Sequence, residues 1–219
     1  MTTAKICGLN DAVTMNTALD WGASHVGLVF YEMSPRKVTA PEAAALCKIA
    51  CSRADRVGLF VNPTNDFLDL ILKDVELELI QLHGSETPDR VAKIAARTKR
   101  SVMKVIPVSE KKDLEIANSY LEVADWLLFD ARPPKTLKNA LPGGNAITFD
   151  WKLLNGKAWP LPWMLAGGLT ANNVTEAIRI TKAPVVDTSS GVEDYPGLKR
   201  SSKIRDFLKK VEKCKLSNL

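Results

Sequence analysis

The sequence has few of the residues that mark a secreted, metal-binding or cofactor-dependent protein. Four cysteines in 219 residues, with no Cys-x-x-Cys pair, are too few for a disulfide framework. With only two histidines, His25 and His83, a zinc site is not expected. The Gly-x-Gly-x-x-Gly fingerprint of dinucleotide-binding proteins is also absent. We therefore expect a cytoplasmic protein with reduced thiols, no bound metal and no organic cofactor.

Long apolar runs and a strong charge imbalance are missing as well. The segment from Met1 to Lys5 has no apolar signal-peptide core, and no apolar run is long enough to span a bilayer. The net charge of +5 is mild, and the densest basic group, from Lys199 to Lys215, favours a solvated helix face over a nucleic-acid site. We expect neither nucleic acid nor a membrane as a partner, whereas an anionic small-molecule substrate fits this charge.

One pattern recurs along the whole chain: a short apolar run ends in Gly, Asn, Asp or Ser, and an amphipathic segment follows. The runs are rich in aliphatic and β-branched residues, which suits parallel strands buried on both faces. Eight repeats of strand and helix predict an α/β fold, a single-domain (β/α)8 TIM barrel over residues 1–219. A doubly wound open sheet is the alternative, and the missing dinucleotide fingerprint counts against it. The predicted strands are Ala4–Cys7, His25–Phe30, Arg56–Val61, Leu79–His83, Ser101–Ile106, Trp126–Asp130, Trp163–Ala166 and Val185–Thr188.

Helix signals occupy the stretches between these strands. Thr39 and Glu42 have the spacing of a capping box, and Gly22 is a good stop for a helix over Asp11–Trp21. The predicted N-caps are Thr39, Thr87, Ser109 and Thr170. The other predicted helices cover Ala43–Ala50, Asn65–Leu72, Ile116–Leu121 and Ser202–Val211.

Two ionisable side chains stand at the carboxyl ends of predicted strands, where barrel enzymes bind their ligands. The first strand ends with the thiol of Cys7, and the sixth ends with Asp130. On different strand ends of one barrel, the two groups could form a base and acid pair. The alternatives are an inert buried cysteine and an aspartate that caps the following loop. That loop, Ala131–Thr148, is long and irregular, and we expect it to cover the substrate.

Small residues follow predicted strands seven and eight. Gly167 and Gly168 allow the backbone to approach an anion, and Ser189 and Ser190 offer hydroxyl groups beside Gly191. In TIM barrels a phosphate often lies between these two loops. We therefore predict a small-molecule phosphorylated substrate whose phosphate binds at these five residues.

Four more polar side chains are candidate substrate ligands. Arg36, after strand two, could hold a carboxylate or phosphate through two hydrogen bonds, although a solvated surface arginine is the commoner case. Gln81 and His83 alternate on strand four and share one face, with a purely structural histidine as the alternative. Asp187 is expected either to bind substrate or to orient the serines that follow it.

Taken in chain order, these segments resemble the phosphoribosylanthranilate isomerase family, single-domain barrel enzymes of tryptophan biosynthesis. The resemblance runs over nearly the whole chain. The matching segments are Lys5-Ile6-Cys7-Gly8, Val26-Gly27-Leu28-Val29-Phe30, Ser34-Pro35-Arg36, Val57-Gly58-Leu59-Phe60-Val61-Asn62, Gln81-Leu82-His83-Gly84, Asp130, Gly143-Gly144 with Thr148-Phe149-Asp150-Trp151, Ala166-Gly167-Gly168-Leu169, and Asp187-Thr188-Ser189-Ser190-Gly191-Val192-Glu193.

The resemblance implies that Cys7 is the general base, that Asp130 is the general acid and that Arg36 helps to hold the substrate. It also implies that the glycine pair after strand seven and the serines after strand eight bind phosphate. The implied reaction is an Amadori rearrangement of N-(5-phosphoribosyl)anthranilate to 1-(2-carboxyphenylamino)-1-deoxyribulose 5-phosphate, without a cofactor. We expect a monomer, with a dimer as the alternative.

Two positions depart from the family pattern. The family usually has Gly-Gly-Thr-Gly where this chain ends the same run in Asn145-Ala146, and it usually has a threonine in place of Asn10. We expect the first change to stiffen the loop after strand six or to alter its closure.

Two rival functions stay open. One is a sugar-phosphate isomerase of histidine biosynthesis, which has an aspartate in the place of Cys7, and the other is a silent barrel that binds a phosphorylated ligand for a partner protein.

Overall fold

Eight parallel strands hydrogen-bond in chain order, and β1 pairs with both β2 and β8, so the sheet closes into a barrel. The computed structural model describes residues 1–134, 136 and 143–216. The strands are β1 Thr3–Cys7, β2 His25–Phe30, β3 Asp55–Phe60, β4 Leu79–Leu82, β5 Ser101–Val108, β6 Trp126–Ala131, β7 Trp163–Leu165 and β8 Val185–Thr188. The predicted TIM barrel is therefore confirmed, and the predicted strands differ from the observed ones only at their ends.

Helices follow each strand in turn and cover the outside of the barrel. The α-helices are α1 Ala12–Asp20, α2 Ala40–Ala50, α3 Asn65–Leu72, α4 Pro88–Thr98, α5 Val174–Thr181 and α6 Ser201–Leu216. After β5 and β6 the described chain forms 3₁₀ helices instead, over Lys111–Tyr120 and Trp151–Leu154. The capping box of Thr39 with Glu42 and the N-cap at Thr87 are confirmed, since each threonine accepts a hydrogen bond from the first turn.

Two predicted N-caps are wrong, and in both places a nearby side chain accepts a hydrogen bond from the backbone of the predicted cap. Ser109 does not cap a helix, because its backbone N–H and its hydroxyl both donate to Asp113 Oδ2, and the N-cap is Glu110, one residue later. Thr170 lies before α5 rather than at its N-cap, which is Asn173. The backbone N–H of Thr170 donates to Asn173 Oδ1 at 2.8 Å, so a turn separates β7 from the helix.

The apolar core has two layers. The larger layer packs the outer faces of the strands against the helices, as expected where both faces of a parallel sheet are covered. A smaller layer fills the barrel interior and consists of Val57, Leu79, Met103, Val105, Leu128, Met164, Ala166 and Val185. Polar side chains lie on the same inner faces closer to the carboxyl ends of the strands, and they form the site described below.

The chain between β8 and α6 adds a small hairpin to the barrel. A single 3₁₀ turn over Ser190–Val192 leads into β9 Glu193–Tyr195, which pairs antiparallel with β10 Leu198–Lys199. The expected covering loop, Ala131–Thr148, is only partly described, because residues 135 and 137–142 lie outside the described residues. Within the described part of the chain, no helix has the length and apolar character needed to cross a membrane.

Candidate active site

Cys7 and Asp130 line one cavity at the carboxyl-terminal mouth of the barrel, and both side chains are buried. β1 and β6 each direct their last inward-facing residue toward this cavity, because side chains alternate between the two faces of a strand. The structure thus brings together the two ionisable groups that the sequence separates by more than half of the chain.

The Cys7 thiol lies in a close-packed polar setting. A side chain at Gly27 on β2 would place its Cβ only 2.8 Å from Cys7 Sγ, so glycine is needed beside the thiol. Burial raises the pKa of Cys7 above its ordinary value, whereas the ammonium groups of Lys5 and Lys199 oppose that rise. The Asp187 carboxylate adds to the rise, so Cys7 is a neutral thiol at neutral pH.

Lys5 is fully buried on the same inner face as Cys7, two residues earlier on β1. Its Nζ donates to Asp187 Oδ1 at 3.0 Å across the seam between β1 and β8. Burial lowers the pKa of Lys5, but Asp187 and Cys7 raise it more, so Lys5 stays an ammonium. Asp187 also lines the cavity, so its predicted roles in binding substrate or orienting the serines stay predictions beside this ion pair. Sequence reasoning missed Lys5, although the period-two alternation of a strand places it beside Cys7.

Asp130 is held between β6 and β4. Its Oδ1 accepts a hydrogen bond from the Ala131 N–H at 2.8 Å, and its Oδ2 lies 3.3 Å from His83 Nε2. Gln81 Nε2 lies 3.4 Å from His83 Nδ1, so Gln81 and His83 share the inner face as predicted. Among the described residues, Gln81 Oε1 and His83 Nε2 are buried without a hydrogen-bond partner, apart from the 3.3 Å ionic contact of Nε2 with Asp130, which suits polar atoms that face a ligand.

The loop after β6 covers Asp130 and His83. A Cβ on Gly143 would lie 2.9 Å from Asp130 Oδ2 and 2.5 Å from His83 Cε1. Only a residue without a side chain can pass this close to both groups. The described residues 143–147 of the predicted covering loop therefore form one wall of the cavity.

The four predicted phosphate ligands Gly167, Gly168, Ser189 and Ser190 line the same cavity from the loops after β7 and β8. The two loops are joined by Thr188 Oγ1, which donates to the carbonyl oxygen of Leu169 at 2.7 Å. The structure does not place Gly191 in the cavity wall. Gly191 packs beneath the same carbonyl, where an added Cβ would lie 1.9 Å from the oxygen.

Arg36 is a buried residue of the cavity wall and not a solvated surface arginine. Its Nε and Nη2 donate to the two carboxylate oxygens of Glu193, each at 2.8 Å, in a bidentate pair. Lys199 Nζ donates to Glu193 Oε1 at 2.7 Å and to the backbone and side-chain oxygens of Ser189. Sequence reasoning assigned no role to Glu193 or Lys199, because both act from the short hairpin that it did not predict.

The arrangement places a thiol and a carboxyl group in one cavity together with groups that suit anions. These groups are the β7 and β8 loops and the Arg36 guanidinium. Such a site can remove one proton from a doubly anionic substrate and supply another. Among the described residues, no group of three or more His, Cys, Asp and Glu side chains is placed to hold a metal ion.

Comparison with known proteins agrees with this geometry. Residues 4–210 match the family model described as N-(5'-phosphoribosyl)anthranilate (PRA) isomerase. The chain is 55% identical to the N-(5'-phosphoribosyl)anthranilate isomerase of Paramagnetospirillum magneticum, over 94% of each protein.

Solved structures are also similar. Phosphoribosyl anthranilate isomerase from Thermotoga maritima has a TM-score of 0.86 and 33% identity, covering 97% of this chain and 100% of that one. A structure of such an enzyme with reduced 1-(o-carboxyphenylamino)-1-deoxyribulose 5-phosphate has a TM-score of 0.81 and 32% identity, with the same coverage.

Proposed function

This chain belongs to the N-(5'-phosphoribosyl)anthranilate isomerase family, and on that premise we propose that Cys7 and Asp130 are the general base and general acid of its reaction. The protein is an aldose–ketose isomerase of tryptophan biosynthesis that acts on N-(5'-phosphoribosyl)anthranilate. One observation carries the assignment of roles. A buried thiol and a buried carboxyl group line the same cavity as Arg36 and the β7 and β8 loops, which suit the carboxylate and the phosphate of this substrate.

The first step opens the ribose ring. Asp130 gives its proton to the ring oxygen, the bond between C1 and that oxygen breaks, and the nitrogen lone pair forms a C1=N iminium. The contact from the Ala131 N–H to Oδ1 leaves Oδ2 as the oxygen that faces the substrate. His83 lies beside that oxygen, so it is placed to orient the carboxyl group and to contact a substrate hydroxyl.

The second step removes the proton on C2. The Cys7 thiol first loses its own proton to solvent, and the resulting thiolate then takes the C2 proton. The C–H electrons form the C1=C2 bond while the iminium nitrogen becomes neutral, giving an enolamine. The iminium cation forms close to the thiol and adds to the positive charge of Lys5, which counters the effect of burial on the pKa of Cys7. Transfer of one proton to C1 and loss of one from the C2 hydroxyl complete the aminoketose.

The remaining residues hold the substrate in place. Gly167, Gly168, Ser189 and Ser190 receive the phosphate, and Arg36 receives the anthranilate carboxylate. The unpartnered polar atoms of Gln81 and His83 face the ribose hydroxyls. Asp187 acts indirectly, because it keeps the Lys5 ammonium beside the thiol.

The assay is the loss of anthranilate fluorescence when the purified protein meets freshly prepared phosphoribosyl anthranilate. Cys7→Ser and Asp130→Asn are each expected to lower turnover by about three orders of magnitude, the range of general acid–base catalysis. Cys47→Ser is the matched control, because Cys47 is also a buried cysteine but lies on α2 outside the cavity. Turnover of Cys7→Ser close to that of the wild-type protein, with Cys47→Ser unchanged, would mean that Cys7 is not the base.

Location and assembly complete the proposal. The relatives are enzymes of amino-acid biosynthesis, which supports a cytoplasmic protein. A monomer is the expected form, although one structurally similar relative from Thermotoga maritima is described as dimeric. Sedimentation of the purified protein decides between the two forms.

A further inference from the structure

The β9–β10 hairpin carries two buried charged side chains that take no part in the proton transfers. Glu193 and Lys199 pair across the hairpin, and their side chains are 4% and 0% exposed. Charged side chains are buried this completely only when they have partners, because removal from water is costly. Besides each other, their partners are Arg36 and Ser189 in the wall of the active-site cavity.

Glu193 fixes the orientation of Arg36. Both carboxylate oxygens receive a hydrogen bond from the guanidinium, which leaves little freedom to rotate, and Arg36 Nη2 also lies 3.3 Å from the Gly144 carbonyl oxygen. Burial raises the pKa of Glu193, but the hydrogen bonds from Arg36 and Lys199 lower it more, so the carboxylate is ionised. The guanidinium is thus held in one pose before any substrate carboxylate arrives.

Lys199 fixes the orientation of Ser189, one of the proposed phosphate ligands. Its Nζ donates to Glu193 Oε1 at 2.7 Å, to the Ser189 carbonyl oxygen at 3.0 Å and to Ser189 Oγ at 3.1 Å. One connected network therefore runs from Arg36 through Glu193 and Lys199 to Ser189. The network joins two basic groups to one carboxylate, and burial lowers the pKa of Lys199 while Glu193 opposes that change.

The hairpin is itself held against the barrel at two points. Asn10 Nδ2 donates to the Gly197 carbonyl oxygen at 3.1 Å. A Cβ on Gly197 would lie 2.4 Å from the Pro35 carbonyl oxygen, so the hairpin tip packs directly on the loop that carries Arg36. These two contacts hold Glu193 and Lys199 in a fixed position relative to the barrel.

We propose that Glu193 and Lys199 are positioning residues that hold the carboxylate-binding Arg36 and the phosphate-binding Ser189 at a set separation. The hairpin then selects substrates that carry two anions at that spacing. This inference rests on the proposed function, because it takes Arg36 and Ser189 as the ligands of the two substrate anions. It adds that the two ends are coupled, so that damage to one charge of the network weakens binding at both.

The test compares two substitutions in the network with two matched controls on the same hairpin. Glu193→Gln and Lys199→Gln each remove one charge of the network. Asp194→Asn and Arg200→Gln remove one negative and one positive charge at the adjacent positions, where the two side chains pair with each other outside the cavity. Anthranilate and inorganic phosphate serve as the probes, and calorimetry measures their binding to each purified protein.

Both network variants are expected to bind both anions about tenfold more weakly than the wild-type protein, and to raise KM more than they lower kcat. The controls should bind as the wild-type protein does. Lys199→Arg, which keeps the charge, should recover part of the loss. It also provides the comparison if Lys199→Gln does not fold.

Network variants that unfold at lower temperature but bind both probes as the controls do would overturn the inference, since a structural ion pair explains that result. Weakening at one end only would refute the coupling. If the wild-type protein bound neither probe, the assignment of Arg36 and Ser189 under the proposed function would fail instead, so the two failures are distinguishable.

Discussion

Replacement of His25 by glutamine is expected to flatten the loss of stability that the protein shows on acidification. His25 begins β2 at the end of the barrel away from the active site, and it is only 6% exposed. Its Nδ1 lies 2.9 Å from Ser24 Oγ, and its ring packs edge-on against Trp126. Burial lowers the pKa of His25 from 6.5 to about 4, with Asp55 opposing the change.

The sign and size of the effect follow from proton linkage. Between pH 6.5 and about 4 the unfolded chain binds a proton at His25, whereas the folded protein does not. Stability from this group is therefore complete above pH 6.5 and is lost as the pH falls toward 4. The fall in the pKa of His25 from 6.5 to about 4 on folding corresponds to about 3 kcal/mol in the free energy of unfolding.

Urea unfolding of the wild-type protein and of His25→Gln, over a pH series from about 7.5 to about 4.5, measures the difference. The free energy of unfolding of the variant should fall by about 2.5 kcal/mol less across this range. Because the chain has only two histidines, NMR can follow the imidazole directly, and a His83→Gln variant assigns the signal. Asp55→Asn removes the opposing carboxylate and should move the His25 pKa still lower.

Two results would refute this reasoning. Parallel curves of unfolding free energy for the wild-type protein and His25→Gln would show that His25 is not the linked group. An imidazole signal of His25 that titrates near its ordinary value would show that burial does not suppress its protonation. Activity of His25→Gln at neutral pH is expected to be unchanged, because His25 lies outside the cavity.

Three further predictions concern packing and strain. Lys104→Met should lower the unfolding free energy in urea by about 3 kcal/mol or more, because it leaves the buried Glu86 carboxylate, 2.7 Å away, without its cation. The double variant Lys104→Met/Glu86→Gln should be more stable than Lys104→Met alone. Equal instability of the two variants would contradict this account. Ala146→Gly should raise the unfolding free energy by about 1 kcal/mol, since Ala146 has a φ of 56° that favours glycine, and an unchanged or lower melting temperature would argue against strain there. Gly191→Ala should weaken the inhibition of the isomerase reaction by inorganic phosphate about tenfold. The added Cβ would collide with the Leu169 carbonyl oxygen and force the β7 and β8 loops apart. Retained inhibition would show that this contact can relax.

Local signals explain most of what could be predicted about the fold. The apolar runs and the Thr39 and Thr87 caps act over a few residues, so their structures follow from the nearby sequence. The two wrong caps share a cause. The side-chain oxygens of Asp113 and Asn173 accept hydrogen bonds from the backbone N–H of the predicted caps Ser109 and Thr170, and composition alone does not predict these local bonds.

The repeated strand and helix signals predicted the barrel and placed Cys7 and Asp130 at strand ends, because side-chain alternation and apolar runs are local properties. Which charges meet depends on the closed barrel. Lys5 pairs with Asp187 across 182 residues of sequence, and Arg36 pairs with Glu193 across 157. These contacts exist because closure of the barrel brings β1 against β8 and folds the hairpin over the β2 loop. Burial after closure then sets the pKa of Cys7, which no sequence pattern could supply.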